Sequence, residues 1–306
     1  MPLTAEKPFI YGLFLINREV EILYPISSTV LVFSKLTFEE ALKILKDIGL
    51  DGFEIYNPFF YKGIFRGTLR FDREGLNEAE ALADSYGLKI TSVNAGNNFV
   101  QPNRDLFENQ VEGVKMCIDA AARFGTPVVR VFGGEPAEGR SEEDCIKAII
   151  EGLKMAAPHA EDTGVNLALE NHGKITNNID VLLRIINEVN SEAVKVNIDT
   201  GNFYWYGYRL SEVYEIFEKL APLAVHTHMK NGTCQRREER RGIGEIRFTP
   251  LAEGDIDLLR VIRMLKEKGY KGVISMEDEF EGWTTLPREK VIEILRKDVE
   301  YLRSAF

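Results

Sequence analysis

Four side chains able to hold a divalent cation recur at comparable places along the chain: Glu170, Asp199, His228 and Glu277. Each stands at or near the end of a short apolar run, which makes them candidates for the ends of four consecutive strands. If those strands lie parallel and adjacent, the four side chains converge on one side of a common mouth. Three carboxylates gathered in a partly dry cavity repel one another. A divalent cation removes that repulsion, and three oxygens with one imidazole form a hard-to-borderline donor set. Four protein ligands leave about two positions of an octahedral ion open to substrate oxygens. The plainer alternative is that a strand-end carboxylate caps the following helix. That accounts for any single one of these residues and poorly for four in succession.

Parity extends the set. Along Val225-His226-Thr227-His228-Met229-Lys230, a period of two puts His226, His228 and Lys230 on one side. His228 is nearer the C-terminal end and is the expected ligand. Lys230 then reaches a substrate oxygen, and His226 sits deeper as a core histidine. The same parity links His172 to Glu170, as a substrate contact or a structural imidazole. Arg130, closing a fourth strand, either binds a substrate hydroxyl or carboxylate or pairs with Glu54 or Glu170. Glu54 and Asn94, ending the second and third strands, are further candidates for the substrate side, with Glu54 also able to orient a neighbouring group.

These residues need a scaffold that brings strand ends together. Strands are predicted at Gly52–Tyr56, Leu88–Asn94, Pro127–Phe132, Val165–Glu170, Val194–Asp199, Ala224–Lys230 and Gly272–Glu277, with a first strand near Phe9–Ile16. Helical spacing of apolar residues marks Phe38–Ile48, Leu106–Phe124, Glu142–Glu161, Ile179–Val189, Ile256–Lys268 and Pro287–Leu302. Thr37 with Glu40 forms a capping-box pattern, and Gly49, Gly87, Gly125, Gly164 and Gly269 suit left-handed helix ends. Eight strand–helix units predict a (β/α)8 TIM barrel, α/β in class, as a single domain over 1–306. An open doubly wound sheet would carry a Gly-rich phosphate loop after its first strand, and none is present. Long loops are expected after the first, second and seventh strands, on the face where barrels place their active sites. Residues 16–36 are expected to add structure over the mouth, such as a hairpin.

The 306 residues are 44% apolar and 28% charged, a composition that excludes wholesale disorder. A formal net charge of −10 argues against nucleic acid and against anionic membrane as partners. No apolar run approaches the ~18 residues of a membrane span. The first residues lack the pattern of a secretory leader. Three scattered cysteines, Cys117, Cys145 and Cys234, predict no disulfide framework and a cytoplasmic setting. The run Arg236-Arg237-Glu238-Glu239-Arg240-Arg241 reads as a solvated face or as a lid over an anionic substrate. The aromatics Phe203, Tyr204, Trp205, Tyr206 and Tyr208 either wall the site or form a subunit contact.

Five stretches fit one family pattern in order: Leu169-Glu170-Asn171-His172-Gly173, Asp199-Thr200-Gly201-Asn202, His226-Thr227-His228-Met229-Lys230, Gly254-Asp255-Ile256-Asp257 and the run from Gly269 to Glu277. Together with Gly49-Leu50-Asp51-Gly52-Phe53-Glu54-Ile55, they resemble the xylose isomerase-like TIM-barrel superfamily, in its sugar phosphate isomerase/epimerase branch. The resemblance covers nearly the whole chain beyond roughly the first 35 residues. It implies a divalent metal, Mn2+ first with Co2+, Mg2+ or Zn2+ as alternatives, on Glu170, Asp199, His228 and Glu277. It also implies that Glu170 and Glu277 exchange a proton beside a carbonyl, in a sugar isomerase or epimerase working through a cis-enediolate. Like the inosose dehydratases of the superfamily, the chain could instead be a lyase acting on an inosose or keto-polyol. Two departures from the ketose 3-epimerases separate substrate from scaffold. Met229 to Cys234 replace the Gly-Glu-Cys/Ala-Asn-Arg run, and Asn202, carried as a substrate contact, replaces a histidine. A small sugar or polyol is the expected partner, in a homo-oligomer as such barrels often form. DNA repair of the endonuclease IV type is disfavoured by an acidic chain with four histidines.

Overall fold

In the computed structural model the described residues are 24–33, 35–57 and 71–306. Eight parallel strands form one sheet: β1 (Ile26–Ser28), β2 (Gly52–Tyr56), β3 (Lys89–Asn94), β4 (Val128–Val131), β5 (Asn166–Glu170), β6 (Val194–Asp199), β7 (Ala224–Met229) and β10 (Ile274–Met276). The order is β1-β10-β7-β6-β5-β4-β3-β2. The two ends of that order meet: Asp51 N donates to Ile26 O at 2.9 Å, and Ile26 N donates to Asp51 Oδ2 at 2.8 Å. The sheet is therefore a nearly closed barrel, as the strand–helix rhythm predicts.

The helices between strands are α1 (Phe38–Asp47), α2 (Arg73–Tyr86), α3 (Arg104–Phe124), α4 (Glu142–Thr163), α5 (Ile179–Val189), α6 (Thr200–Tyr206), α7 (Leu210–Leu220), α8 (Leu258–Glu267) and α9 (Arg288–Arg303). Local chemistry sets their ends. Thr37 and Glu40 complete the capping box of α1, while Asp72, Asn103, Ser141 and Asn178 each accept a backbone N–H at a helix start. Gly125 and Gly164 take positive φ where α3 and α4 stop. The outward parity of the strands packs on the helices, with Val129, Val131, Leu167, Leu169, Val196 and Ile198 buried against residues such as Ile149, Leu153 and Phe217. The inward parity is polar instead: Ser27, Glu54, Ser92, Asn94, Arg130, Glu170, Asn197, Asp199, His226, His228 and Ser275 are all buried. Most barrels fill this space with branched aliphatic layers. Here the interior is built for charge.

Two expectations change. The first barrel strand is Ile26–Ser28, in register with Ile274–Met276, rather than Phe9–Ile16, which lies outside the described residues. The loop after β1 is accordingly short, not long. Val30 turns to φ 59, and the apolar run Leu31–Phe33 coils into a 3-10 turn instead of a hairpin strand. The loop after β2 falls largely in 58–70, also outside the described residues. The loop after β7 is long, as predicted. It carries an antiparallel hairpin of β8 (Asn231–Thr233) and β9 (Arg247–Thr249). Asn231 clamps its return: its Nδ2 donates to Leu251 O and Ile256 O at 2.8 Å each, and its Oδ1 accepts from Gly232 N and Ile256 N. A Cβ on Gly254 would lie 2.0 Å from Asn231 Oδ1, so this clamp admits only glycine there.

Candidate metal centre

Glu170 ends β5, Asp199 ends β6, His228 lies one residue before the end of β7, and Glu277 follows β10 with its N–H bonded to Met229 O at 3.0 Å. One ligand atom from each lies within 4.8 Å of the others, and all four residues are buried. His228 Nδ1 is 2.8 Å from Glu170 Oε1 and 3.6 Å from Glu277 Oε1. Parity alone placed these side chains on the inward face; the register sets Asp199 opposite His228, with Glu170 opposite Asn197, the preceding inward position on β6.

The helix-capping alternative also holds, on half of one residue. Asp199 Oδ1 accepts from Gly201 N and Asn202 N, both at 2.8 Å, and so caps α6. Its Oδ2 has no hydrogen-bond partner and turns toward the other ligands. Asn171, which carried no functional reading in the sequence, fixes that orientation. Its Oδ1 accepts from Asp199 N and its Nδ2 donates to Asp199 O, each at 2.9 Å. Parity could not reveal it, because Asn171 lies just past the strand.

Two resident cations balance the cluster. Arg130 Nη2 is 2.6 Å from Glu170 Oε2 and 3.9 Å from Glu277 Oε1, with its guanidinium 3.8 Å over the Phe132 ring. Lys230 Nζ is 2.8 Å from both Glu277 Oε2 and Glu279 Oε2, and 3.7 Å from Asp199 Oδ2. Burial alone would push the Glu277 carboxyl up, but Lys230 and His228 hold it well below the usual range. Burial likewise opposes ionisation of Glu170, and Arg130 with His228 overcomes it. Asp199 goes the other way: burial raises it well above normal, Lys230 only partly offsets this, and the charge of Glu277 adds to it. Burial disfavours charge on His228, yet Glu54, Glu277 and Glu170 raise it well above its ordinary value. An unpartnered buried carboxylate oxygen amid three further O and N donors fits a divalent cation.

The remaining candidates divide by depth. Glu54 lies below the ligands, between His226 Nε2 at 2.9 Å and His228 Nε2 at 3.2 Å. Asn94 donates to Glu54 Oε2 at 2.7 Å, and Asn202 Nδ2 donates to Asn171 O at 3.0 Å. Both amide nitrogens are thus engaged within the protein, while the buried Asn94 Oδ1 has no hydrogen-bond partner. His172 lies toward the mouth, its Nδ1 3.9 Å from Glu170 Oε2 and its ring centroid 4.3 Å from that of Phe132. With Gly96, Asn97, Asn98, Phe132, Gly133, Gly134 and Glu135 it lines a cavity of about 220 Å³. The arginine run is spoken for: Arg236 pairs with Glu245 and Arg240 with Glu212, Arg237 lies near Asp255, and Arg241 covers the Tyr204 ring. That leaves it a structural surface, with Tyr204 OH bonded to Asp255 at 2.8 Å rather than walling the cluster.

The chain is 26% identical over 263 residues to an uncharacterized protein of Methanocaldococcus jannaschii, covering 81% of this chain and 82% of that one. It is 24% identical over 255 residues to an inosose dehydratase of Clostridium beijerinckii, covering 79% and 82%. Matches to inosose dehydratases of Clostridium perfringens span about half the length of those relatives. Among solved structures, the fold is similar to a D-tagatose 3-epimerase-like protein (TM-score 0.69, 22% identity, 92% and 98% covered). It is also similar to the IolI protein with a bound zinc atom (0.69, 18%, 92% and 99%). A third is a xylose isomerase-like barrel of Mycobacterium smegmatis in complex with magnesium (0.67, 18%, 90% and 98%). The model of one family, described as xylose isomerase-like TIM barrel, matches residues 42–305, and the chain belongs to that family.

Proposed function

We propose that the protein is a divalent-metal-dependent sugar isomerase or epimerase that moves a proton beside a carbonyl through a cis-enediolate. The observation that carries this reading is the Glu170–Asp199–His228–Glu277 cluster, buried and within 4.8 Å, at the strand ends of the barrel. Glu170, Asp199, His228 and Glu277 would hold the ion, which supplies positive charge beside the oxygens that become negative in the enediolate. Mn2+ is the first choice, with Zn2+, Mg2+ and Co2+ as alternatives. Zinc and magnesium in structural neighbours support this range.

Glu170 and Glu277 are the acid–base pair, approaching the substrate from β5 and from the end of β10. Arg130 and Lys230, with His228, hold both below the usual carboxyl range, so each is able to accept a proton, and the carboxyl that takes it from the substrate carbon becomes the acid that returns it. Lys230, buried beside half-buried Glu279, would donate to a substrate oxygen. The cavity beside His172 would take the rest of the carbon chain. Its charged side chain, Glu135, disfavours a phosphate there and supports a neutral sugar or polyol. We place the enzyme in the cytoplasm, a reading supported by three free cysteines, and propose that it is a homo-oligomer. No described helix is long and apolar enough to cross a membrane.

The test is solvent deuterium incorporation into a panel of unphosphorylated ketoses and aldoses with Mn2+ present. Exchange at the carbon next to the carbonyl is expected, and metal-dependent exchange with no sugar of the panel would refute the proposal. The inosose dehydratase relatives favour one second reading, in which the same enolate expels a β-hydroxyl. An ultraviolet band from a new enone, in place of exchange, identifies that outcome.

A further inference from the structure

Beneath the candidate ligands lies a carboxylate that touches none of the space above them. Glu54 is buried on β2, and both of its oxygens are engaged by donors from three other strands. Oε1 takes His226 Nε2 from β7 at 2.9 Å and the Ser275 hydroxyl from β10. Oε2 takes Asn94 Nδ2 from β3 at 2.7 Å and His228 Nε2 at 3.3 Å. An acid so deep and so fully occupied is poorly placed to bind substrate. What it does touch is the back of a ligand: His228 shows Nε2 to Glu54 and Nδ1 to Glu170 and Glu277.

We propose that Glu54 is a positioning residue for the metal centre. It accepts the Nε2–H of His228 and so fixes the ring orientation and the tautomer that leaves the Nδ1 lone pair for the ion. A carboxylate behind a ligating imidazole also raises the basicity of the coordinating nitrogen. His226 serves the same end. Its Nδ1 has no hydrogen-bond partner and its Nε2 is spent on Glu54, so its contribution is to hold that carboxylate in place. Glu54, His226 and His228 could in principle hold a second cation themselves. The four donors already on Glu54 oppose that, since an ion would have to displace them.

The inference rests on the metal reading above, and the test separates the two. Wild-type protein stripped of metal is titrated with Co2+ alone, against a competing chelator, with stoichiometry and visible absorption recorded. One equivalent is expected. No binding at all would refute the proposed function, and two tight equivalents would overturn the positioning role in favour of a second site. In E54Q, an amide replaces one of the accepting oxygens. Its affinity for Co2+, measured at a temperature where circular dichroism shows metal-free E54Q folded, is expected to fall roughly 10- to 100-fold with a changed absorption band. Unchanged affinity in folded E54Q overturns the inference. Should E54Q fail to fold, H226A and H226Q take its place. H226A is expected to weaken Co2+ binding and H226Q, which restores a donor to Glu54, to recover it. Equal, wild-type affinity in both would overturn the inference as surely.

Discussion

Directly behind the candidate centre, Asp278 follows Glu277 and faces Asp298 of α9, and both carboxyls are buried. Asp298 Oδ1 accepts a long bond from Ala252 N at 3.3 Å, but Asp298 Oδ2 has no partner. Burial pushes the Asp298 carboxyl up to about 6, against the partial help of the Leu251 and Ala252 N–H groups and of Asp278. Burial and then the charge of Asp298 raise Asp278 well above its ordinary value. An Asp in the unfolded chain titrates near ~3.9. With a folded value about 2 units higher, the stability present below the unfolded pKa is lost as pH rises through about 6. The loss amounts to about 3 kcal/mol. The perturbation is Asp298→Asn, which keeps an oxygen for Ala252 N–H, gives Asp278 an N–H donor, and cannot ionise. An unfolding entropy of about 2.1 cal/mol/K per residue, over a chain of this length, converts 1 kcal/mol into roughly 1.6 °C. Calorimetry of both proteins should therefore show nearly equal midpoints at about pH 4 and a variant higher by roughly 5 °C at about pH 7. A difference that does not grow with pH would refute the reasoning from burial of Asp298.

Other expectations follow from the same geometry. Glu170→Gln and Glu277→Gln should each lower the rate of metal-dependent deuterium exchange by roughly 10²- to 10⁴-fold, because each removes a base and a ligand; proton NMR of the exchanged sugar checks this. Asn231→Ala strands two carbonyls and two N–H groups at the hairpin return. It should cost ~3 kcal/mol or more, read as a fall of roughly 5 °C in the thermal midpoint. Chelation should lower the midpoint of the metal-loaded enzyme, and re-addition of Mn2+ at about 100 times its Kd should restore ~2.7 kcal/mol. Arg236→Ala and Arg237→Ala should leave exchange rates within about twofold, since these side chains pair with Glu245 and approach Asp255 rather than the cluster.

The parts legible in the sequence are those governed by local period. Strands β5, β6 and β7 announce themselves by short apolar runs bounded by turn residues, and a period of two then assigns Glu170, Asp199 and His228 to one face. Helix α2 is harder, because Leu76, Ala79 and Ala83 make a small, weakly apolar buried face. Its cap, Asp72, and its terminal Gly87 are better markers than its pattern. The first strand is misplaced because Phe9–Ile16 has more strand character than Ile26–Ser28. A three-residue strand held by β10 and by Asp51 owes its existence to partners distant in sequence. The hairpin β8–β9 is hidden for the same reason: its strands are only three residues each, Asn231-Gly232-Thr233 and Arg247-Phe248-Thr249, and the chain beyond β9 is held by Asn231 across Gly254. The family stretch Gly254-Asp255-Ile256-Asp257 proves to be architecture. Asp255 accepts from Cys234 N and Tyr204 OH, and Asp257 caps α8.

Charge is where the sequence was least able to speak. Parity placed Lys230 on the side of the histidines but could not say that it would stand among the carboxylates, nor that Arg130 would choose Glu170. Among the described residues, Glu54, Glu170, Asp199 and Glu277 are buried acids facing the barrel interior, and Arg130 and Lys230 are the cations set against them. A cluster of acids alone would spring apart or fill with protons in the absence of an ion. These counter-charges let the barrel hold its ligands in place beforehand, so binding an ion need not organise the site. They also exact a cost, since an entering cation meets two positive groups that already share its ligands. Glu279 relieves half of that conflict. Lying 2.8 Å from Lys230 Nζ, it would keep the ammonium if Glu277 held a metal. The net charge of −10 therefore says little about the centre, whose acids are largely balanced from within, and much about the exposed surface that surrounds it.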